Sequence, residues 1–300
     1  MIHPLGEASS RSTMQILLIY NEKMKATHLL SAVHTFLLSK DACSITVLSL
    51  SQLNIYTAEA SDASSLAIVL GGDGTILRAS LCLHALAIPI LAIHAGTVGF
   101  LAEHGAVSWQ EAIDDFLSGK LPFLSAPMLA MEVYQQEKFA QRLLAINEVA
   151  ITSVGRKLLA MTFKVGSSPT MRVRAEGLVL STPTGSTGYS LTLGAPIISP
   201  SAKVLLLQAI APFDLSARPI IFDEADVVWV EVASEDGLLL LRDGEGVEIA
   251  SGAWEFRLGL ASERVLWAVG EQREALFYQA LQKKLGWFTL YPGASVCCKS

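Results

Sequence analysis

The chain has 300 residues, 51% of them hydrophobic and 17% charged, enough apolar material to bury a sizeable core in two domains of ordinary size. A net charge of −6 and a pI near 5.5 argue against binding to nucleic acid, whose phosphate backbone calls for a basic face. Cys43, Cys82, Cys297 and Cys298 show no Cys-x-x-Cys spacing, which excludes a disulfide framework or a zinc site and leaves reduced thiols.

Residues 1–13 are polar and lack the apolar centre of a signal peptide, so they read as a loose leader of a cytoplasmic protein. Alternating elements then follow: a strand over 14–20, a helix over 23–38, a strand over 44–50, a strand over 66–70 with a helix running to about 86, a strand over 88–93 and a helix over 109–117. This order predicts a parallel sheet with helices on both faces and a ligand at the carboxyl ends of the strands. Gly119-Lys120-Leu121-Pro122 breaks the pattern, so the first domain is expected to end there.

The third strand drives into Gly71-Gly72-Asp73-Gly74-Thr75 at the start of a helix. The glycines are expected to take positive φ and to admit a ligand, and the free N–H groups of the first turn face an incoming anion, with phosphate the natural guest. Asp73 beside bound phosphate would repel it unless the carboxylate held a metal or accepted a proton, both of which belong to phosphoryl transfer. The plainer alternative is that Asp73 caps the helix. A second glycine loop, 94–103, leaves the fourth strand at the same edge.

Past Pro122 the period changes to short apolar or alternating runs at 129–134, 158–165, 177–180, 204–208, 227–232 and 238–241, which predict an all-β sandwich or a pair of packed sheets. A last amphipathic helix is expected over 275–285. The uncharged stretch 177–202 is interrupted by Ser, Thr, Pro and Gly and does not supply a membrane span. Two segments carry polar groups out of keeping with plain structure. Asn147-Glu148 lies inside an apolar strand, where one member should face a buried partner or, alternatively, the pair should meet vicinal ribose hydroxyls. The loop 181–190 is dense in hydroxyls and ends in Tyr189, as a packed, ligand-facing segment would.

Gly-Gly-Asp-Gly-Thr, Asn-Glu and Ser-Thr-Pro-Thr-Gly-Ser-Thr-x-Tyr-Ser, in this order and spacing, resemble the bacterial NAD kinases; lipid kinases resemble only the first. Gly99-Phe100-Leu101, residues 215–219, Asp243-Gly244 and Lys284-Leu285-Gly286-Trp287 extend the resemblance over about residues 14–290. It implies an α/β nucleotide-binding domain with a Rossmann-like parallel sheet (14–120), a β-rich NAD-binding domain (121–270), a helical tail (271–300) that can return to the first domain, and an active site in the cleft.

Carried onto this chain, the resemblance makes Asp73 the base acting on the adenosine-ribose 2′-hydroxyl of NAD, with Gly74 beside it, and Gly71, Gly72, Gly74 and Thr75 the phosphate loop. Asn147 and Glu148 hold the adenosine part. Arg174, Glu176, Thr187, Gly188, Tyr189, Ser190, Leu191, Thr192 and Glu245 surround the rest. Mg²⁺ accompanies the phosphates, although no metal ligands are assigned. ATP or polyphosphate is the donor, and the family assembles as homo-oligomers. A lipid kinase and a catalytically silent dinucleotide sensor are the alternatives. The chain departs from the family pattern at Glu176 (usually Asp), His94 (Asn), Gly188 (Ala), Phe213 (His) and Glu245 (often Gln). Gly188 is expected to give room for the longer arm of Glu176.

Overall fold

A computed structural model of the chain describes residues 14–23, 27–40, 43–56, 65–96, 99–105, 108–270 and 273–286. Its first half places β1 (Met14–Tyr20), β2 (Cys43–Ser49), β3 (Ser65–Gly71) and β4 (Ile90–His94) side by side in parallel, in the order β2-β1-β3-β4. Strands covered on both faces need apolar residues at every position, and Ile16 to Ile19 and Ala67 to Leu70 are fully buried. α1 (Thr27–Leu38), α2 (Leu50–Tyr56), α3 (Asp73–Leu83) and α4 (Trp109–Leu117) connect and follow these strands. One buried cluster includes Ile76 and Leu77 of α3, and another on the opposite face includes Val33, Ile113 and Phe116. In α4 the buried residues Trp109, Ala112, Ile113 and Phe116 fall at helical spacing, which fixes its inward face.

The second half contains β5 (Phe123–Gln135), β6 (Lys138–Ala145), β7 (Glu148–Ser153), β8 (Leu159–Val165), β9 (Met171–Ala175), β10 (Gly177–Ser181), the short α5 (Tyr189–Thr192), β11 (Val204–Ile210), β12 (Ile220–Asp223), β13 (Val228–Ser234), β14 (Leu238–Arg242), β15 (Glu245–Ile249) and β16 (Gly252–Ala268). The chain's described part ends in α6 (Arg273–Leu285). One antiparallel sheet runs β12-β11-β10-β7-β14-β15. It faces β5, β6, β8, β9, β13 and β16 across a shared core that includes Met131, Ile151, Leu180, Leu240 and Phe256.

The two halves are not separate sheets. The 17-residue β16 continues past a register shift between Leu260 and Arg264 until Trp267 pairs in parallel with Ile90, so the parallel sheet and one layer of the sandwich form a single ten-stranded sheet. Pro127 of β5 sits opposite Arg264 at this irregularity, a place that tolerates its missing N–H. The two halves therefore share a backbone scaffold.

Several elements differ from the sequence-based expectation. Leu50 begins α2 instead of ending the second strand, and α3 stops at Leu83, with His84–Leu86 tightened into a 3₁₀ turn. The expected strand through Asn147 is broken: β6 ends at Ala145 and β7 starts at Glu148. Residues 1–13, Thr97, Val98, Trp287, Cys297 and Cys298 lie outside the described residues.

Candidate active site in the cleft

The turn after β3 is built differently from its glycine pattern. None of Gly71, Gly72 and Gly74 has a positive φ; Gly72 is extended (φ −89°, ψ 177°) and stands as the N-cap of α3 without a side-chain hydrogen bond to it. Space, not handedness, calls for glycine at Gly71. A Cβ on Gly71 would fall 2.4 Å from Thr75 Cβ, whereas Cβ atoms on Gly72 and Gly74 would meet nothing within 4 Å. Those two positions form an open floor in front of an 11-residue helix whose N-terminal dipole favours an anion.

Asp73 is the first helical residue and does not cap the helix. Its carboxylate turns outward to the second glycine loop, where Phe100 N–H donates to Oδ2 at 3.0 Å and Leu101 N–H to Oδ1 at 3.2 Å. The approach demands Gly99, because a Cβ there would lie 2.0 Å from Asp73 Oδ1. Lys284 of α6 completes the arrangement with Nζ 3.1 Å from Oδ2. The adjacent Thr75 is held by Asn21, whose Nδ2 donates to Thr75 Oγ1 at 3.0 Å.

The Asn147-Glu148 turn is fixed by a residue whose role the sequence did not disclose. Asp243 and Gly244 both have positive φ and form the two-residue connection of the β14–β15 hairpin, the geometry that suits Asp-Gly. From this tip the Asp243 carboxylate accepts N–H bonds from Ile146 (2.7 Å), Asn147 (2.7 Å) and Glu148 (3.2 Å). Three donors converging on one acceptor break the strand there. Burial pushes the Asp243 carboxyl up, and the three N–H groups oppose the shift.

Across the turn, the hydroxyl-rich loop closes like a clamp. Thr182 Oγ1 donates to Ile146 O, Gly185 N–H donates to Thr182 Oγ1, and a Cβ on Gly185 would strike Asn147 O at 2.1 Å. Ser181 and Ser190 are fully buried and hydrogen-bonded through their hydroxyls, and Ser186 Oγ receives Ile198 N–H. Ser190, Thr187 and Thr192 thus brace the loop: the hydroxyls of Thr187 and Thr192 bond the carbonyls of Thr184 and Tyr189. Leu191 continues the same turn through its N–H to Gly188 O.

Within this clamp, Asn147 Oδ1 and Glu148 Oε2 are buried without a hydrogen-bond partner. Buried polar atoms are rarely left so, and these two lie together beneath Gly188, where an added Cβ would come 2.9 Å from Glu148 Oε2 and 3.4 Å from Asn147 Nδ2. Desolvation first, and the Asp243 carboxylate second, push Glu148 up to about 7. The methyl missing at Gly188 therefore makes room for Glu148 and not, as expected, for Glu176.

Arg174 and Glu176 belong to the other end of the strand pair. Ser181 is opposite Glu148 and Gly177 opposite Thr152, so Glu176, one position further on, lies some five strand steps, about 17 Å, from Glu148. Arg174 stacks on Phe213, its guanidinium 4.2 Å from the ring centroid. Burial raises the Tyr189 phenol, and the carboxylates of Glu176 and Glu148 add to that rise. Glu245 pairs with Arg78 of α3 at 3.3 Å and Arg242 at 3.8 Å. Through this hairpin α3 and the Asn147 turn are tied together, and Ile146 shares a buried cluster with Ile76 and Leu77. His94, by contrast, folds onto its own loop, with Nδ1 3.0 Å from Gly96 O.

Residues 11–121 match the ATP-NAD kinase N-terminal domain and residues 128–254 the ATP-NAD kinase C-terminal domain. The chain is 35% identical over 222 residues to NAD kinase 2 of Prochlorococcus marinus, spanning 74% of this chain and 73% of that one. In fold it is similar to yeast NADH kinase complexed with NADH (TM-score 0.76, 20% identity, 94% of this chain and 90% of that one). It is also similar to an NAD kinase from Archaeoglobus fulgidus in complex with ATP (TM-score 0.72, 21% identity, 90% and 99%). Two matched halves in the right order, together with a relative 35% identical over most of both chains, show that the chain belongs to the NAD kinase family.

Proposed function

We propose that this NAD kinase converts NAD to NADP by transferring a phosphoryl group from ATP to the 2′-hydroxyl of the adenosine ribose, with Asp73 as the general base. The observation that supports this most directly is the pairing of an anchored carboxylate at an open helix N-terminus with buried, unpartnered polar atoms on Asn147 and Glu148. The ribose hydroxyls supply the donors that those atoms lack. In the transfer, the 2′-oxygen forms its bond to phosphorus as the bond to the ADP oxygen breaks, and the hydroxyl proton passes to the Asp73 carboxylate. The N–H groups at the start of α3 offset the charge on the phosphoryl oxygens.

The described residues contain no group of three or more His, Cys, Asp or Glu side chains able to cage a metal. Mg²⁺ would be carried by the donor phosphates, since it keeps several waters and binds through substrate phosphates more than through a protein cage. It would supply charge neutralisation there. Arg174, Glu176 and Tyr189 are assigned to the far half of the dinucleotide. No helix among the described residues is long and apolar enough to cross a membrane, in keeping with a cytoplasmic enzyme. The homo-oligomer implied by the family has support in the exposed Phe213, Leu215, Ile220 and Ile221 near edge strand β12. The lipid-kinase and sensor readings are not favoured, because both halves of the chain match NAD kinase domains.

Incubation with NAD, Mg²⁺ and either ATP or polyphosphate, followed by an NADP-specific dehydrogenase assay, tests the reading and identifies the donor. No NADP with either donor would return the sensor. Asn147→Ala should raise KM for NAD severalfold with a smaller change in kcat, as loss of a hydrogen bond worth about 0.5–1.5 kcal/mol requires; a collapsed melting temperature at unchanged KM would make Asn147 structural. Gly188→Ala should likewise raise KM, because the new methyl crowds Glu148 Oε2. Unchanged KM in that variant would separate Glu148 from NAD.

A further inference from the structure

We propose that Lys284, in the last turn of α6, is a positioning residue for phosphoryl transfer that holds the Asp73 carboxylate in the orientation from which it takes the 2′-hydroxyl proton. The inference rests on the assignment of Asp73 as base. Two backbone donors, Phe100 N–H and Leu101 N–H, set one edge of the carboxylate, and the Lys284 ammonium adds a third, charged contact to Oδ2 at 3.1 Å. The ammonium also lies 4.5 Å from the centroid of the Phe100 ring, so a single loop residue orients both members of the pair.

The helix that delivers Lys284 is tied to that loop along its length. Glu103 accepts Gly270 N–H at 2.6 Å just before α6, Arg273 in its first turn lies over Trp267 at 5.8 Å, and Phe277 meets Phe100 with centroids 6.1 Å apart. Three of these contacts, counting Lys284 over the Phe100 ring, fall on one short loop, and the Arg273 contact ties the start of α6 to β16. Asp73 and Lys284 side chains are 27% and 31% exposed, and an ion pair so placed contributes little to stability. Its role is geometric. A base held by these three donors keeps a single in-plane lone pair free, on Oδ1, and positioning of that kind is where phosphoryl transfer draws most of its rate.

The test is a double-mutant cycle on the full chain, with kcat, KM for NAD and melting temperature measured for Lys284→Met, Lys284→Arg, Asp73→Asn and Asp73→Asn/Lys284→Met. Lys284→Met should lower kcat by about tenfold or more with KM for NAD within about twofold, and Lys284→Arg should recover most of the loss. In the Asp73→Asn background the lysine substitution should cost little further. Wild-type kcat in Lys284→Met would overturn the proposal. So would an equal loss in both backgrounds, or a loss that follows a fallen melting temperature without rescue by arginine. Full turnover in Asp73→Asn alone would instead remove the base assignment, a failure visible without any lysine variant.

Discussion

Asp73→Asn is expected to lower kcat by about 10²-fold or more while leaving KM for NAD nearly unchanged. The size is that of a positioned general base, and the direction follows from what asparagine keeps and loses. The amide oxygen can still accept one of the two loop N–H groups. The amide nitrogen cannot accept the other, and it offers a donor where Lys284 Nζ already stands at 3.1 Å. Nothing in the Asn147 turn changes, so substrate should still bind. Steady-state kinetics at saturating donor, with a circular-dichroism check of the fold, read this out. Turnover at the wild-type rate in a folded variant would strip Asp73 of the role and leave the glycine loop as a phosphate cradle.

How much of this site could be read beforehand differs by residue, and the differences have physical reasons. The strand, glycine turn and helix around Asp73 were legible because strands buried on both faces need unbroken apolar runs, and because glycine is costly wherever it is not required. Of the two reasons expected for the glycines, positive φ does not hold at Gly71, Gly72 or Gly74. Positive φ leaves no separate trace in a sequence from close approach, and only coordinates show Thr75 against Gly71 and Asp73 against Gly99. Helix α4 was legible to its boundaries, since its four buried residues alone set its period.

Asp243 was legible only as part of a turn. An Asp-Gly between apolar runs announces a two-residue hairpin, but nothing announces that its side chain reaches residues almost a hundred positions earlier to cap a broken strand. Long-range polar contacts leave no period. For the same reason β16 was missed: Glu255, Arg257 and Arg264 dilute its apolar pattern, so the strand that fuses both halves of the sheet does not stand out as a run. The supposed partnership of Glu176 and Gly188 failed on direction. A turn residue beside Tyr189 in sequence faces back to β7 in space, and the methyl it lacks belongs to the volume of Glu148.

That volume leads to the second large effect expected, in stability instead of rate. Glu148 is 7% exposed, with Oε2 unpartnered and its carboxyl pushed up to about 7 from an ordinary 4.5 by burial and by the nearby Asp243 carboxylate. Below about pH 4.5 the group is protonated in folded and unfolded chains alike and has no linked effect. Between about 4.5 and 7 the unfolded chain releases the proton first, so folding stability falls as pH rises, and above about 7 the loss is complete. The interval of about 2.5 units corresponds to a loss on the order of 3 kcal/mol. Glu148→Gln removes the titration while keeping the shape. The free energy of unfolding of the variant minus that of the wild type should therefore grow by roughly this amount between pH 4.5 and pH 8, measured by urea denaturation without nucleotide. The same substitution should raise KM for NAD, since an amide is a weaker acceptor than a carboxylate for ribose hydroxyls. A chain that becomes more stable at alkaline pH as it binds substrate less well is what a strained binding residue predicts. A stability difference that stays flat from pH 4.5 to pH 8 would mean that the Glu148 carboxylate is hydrated and carries no burial penalty.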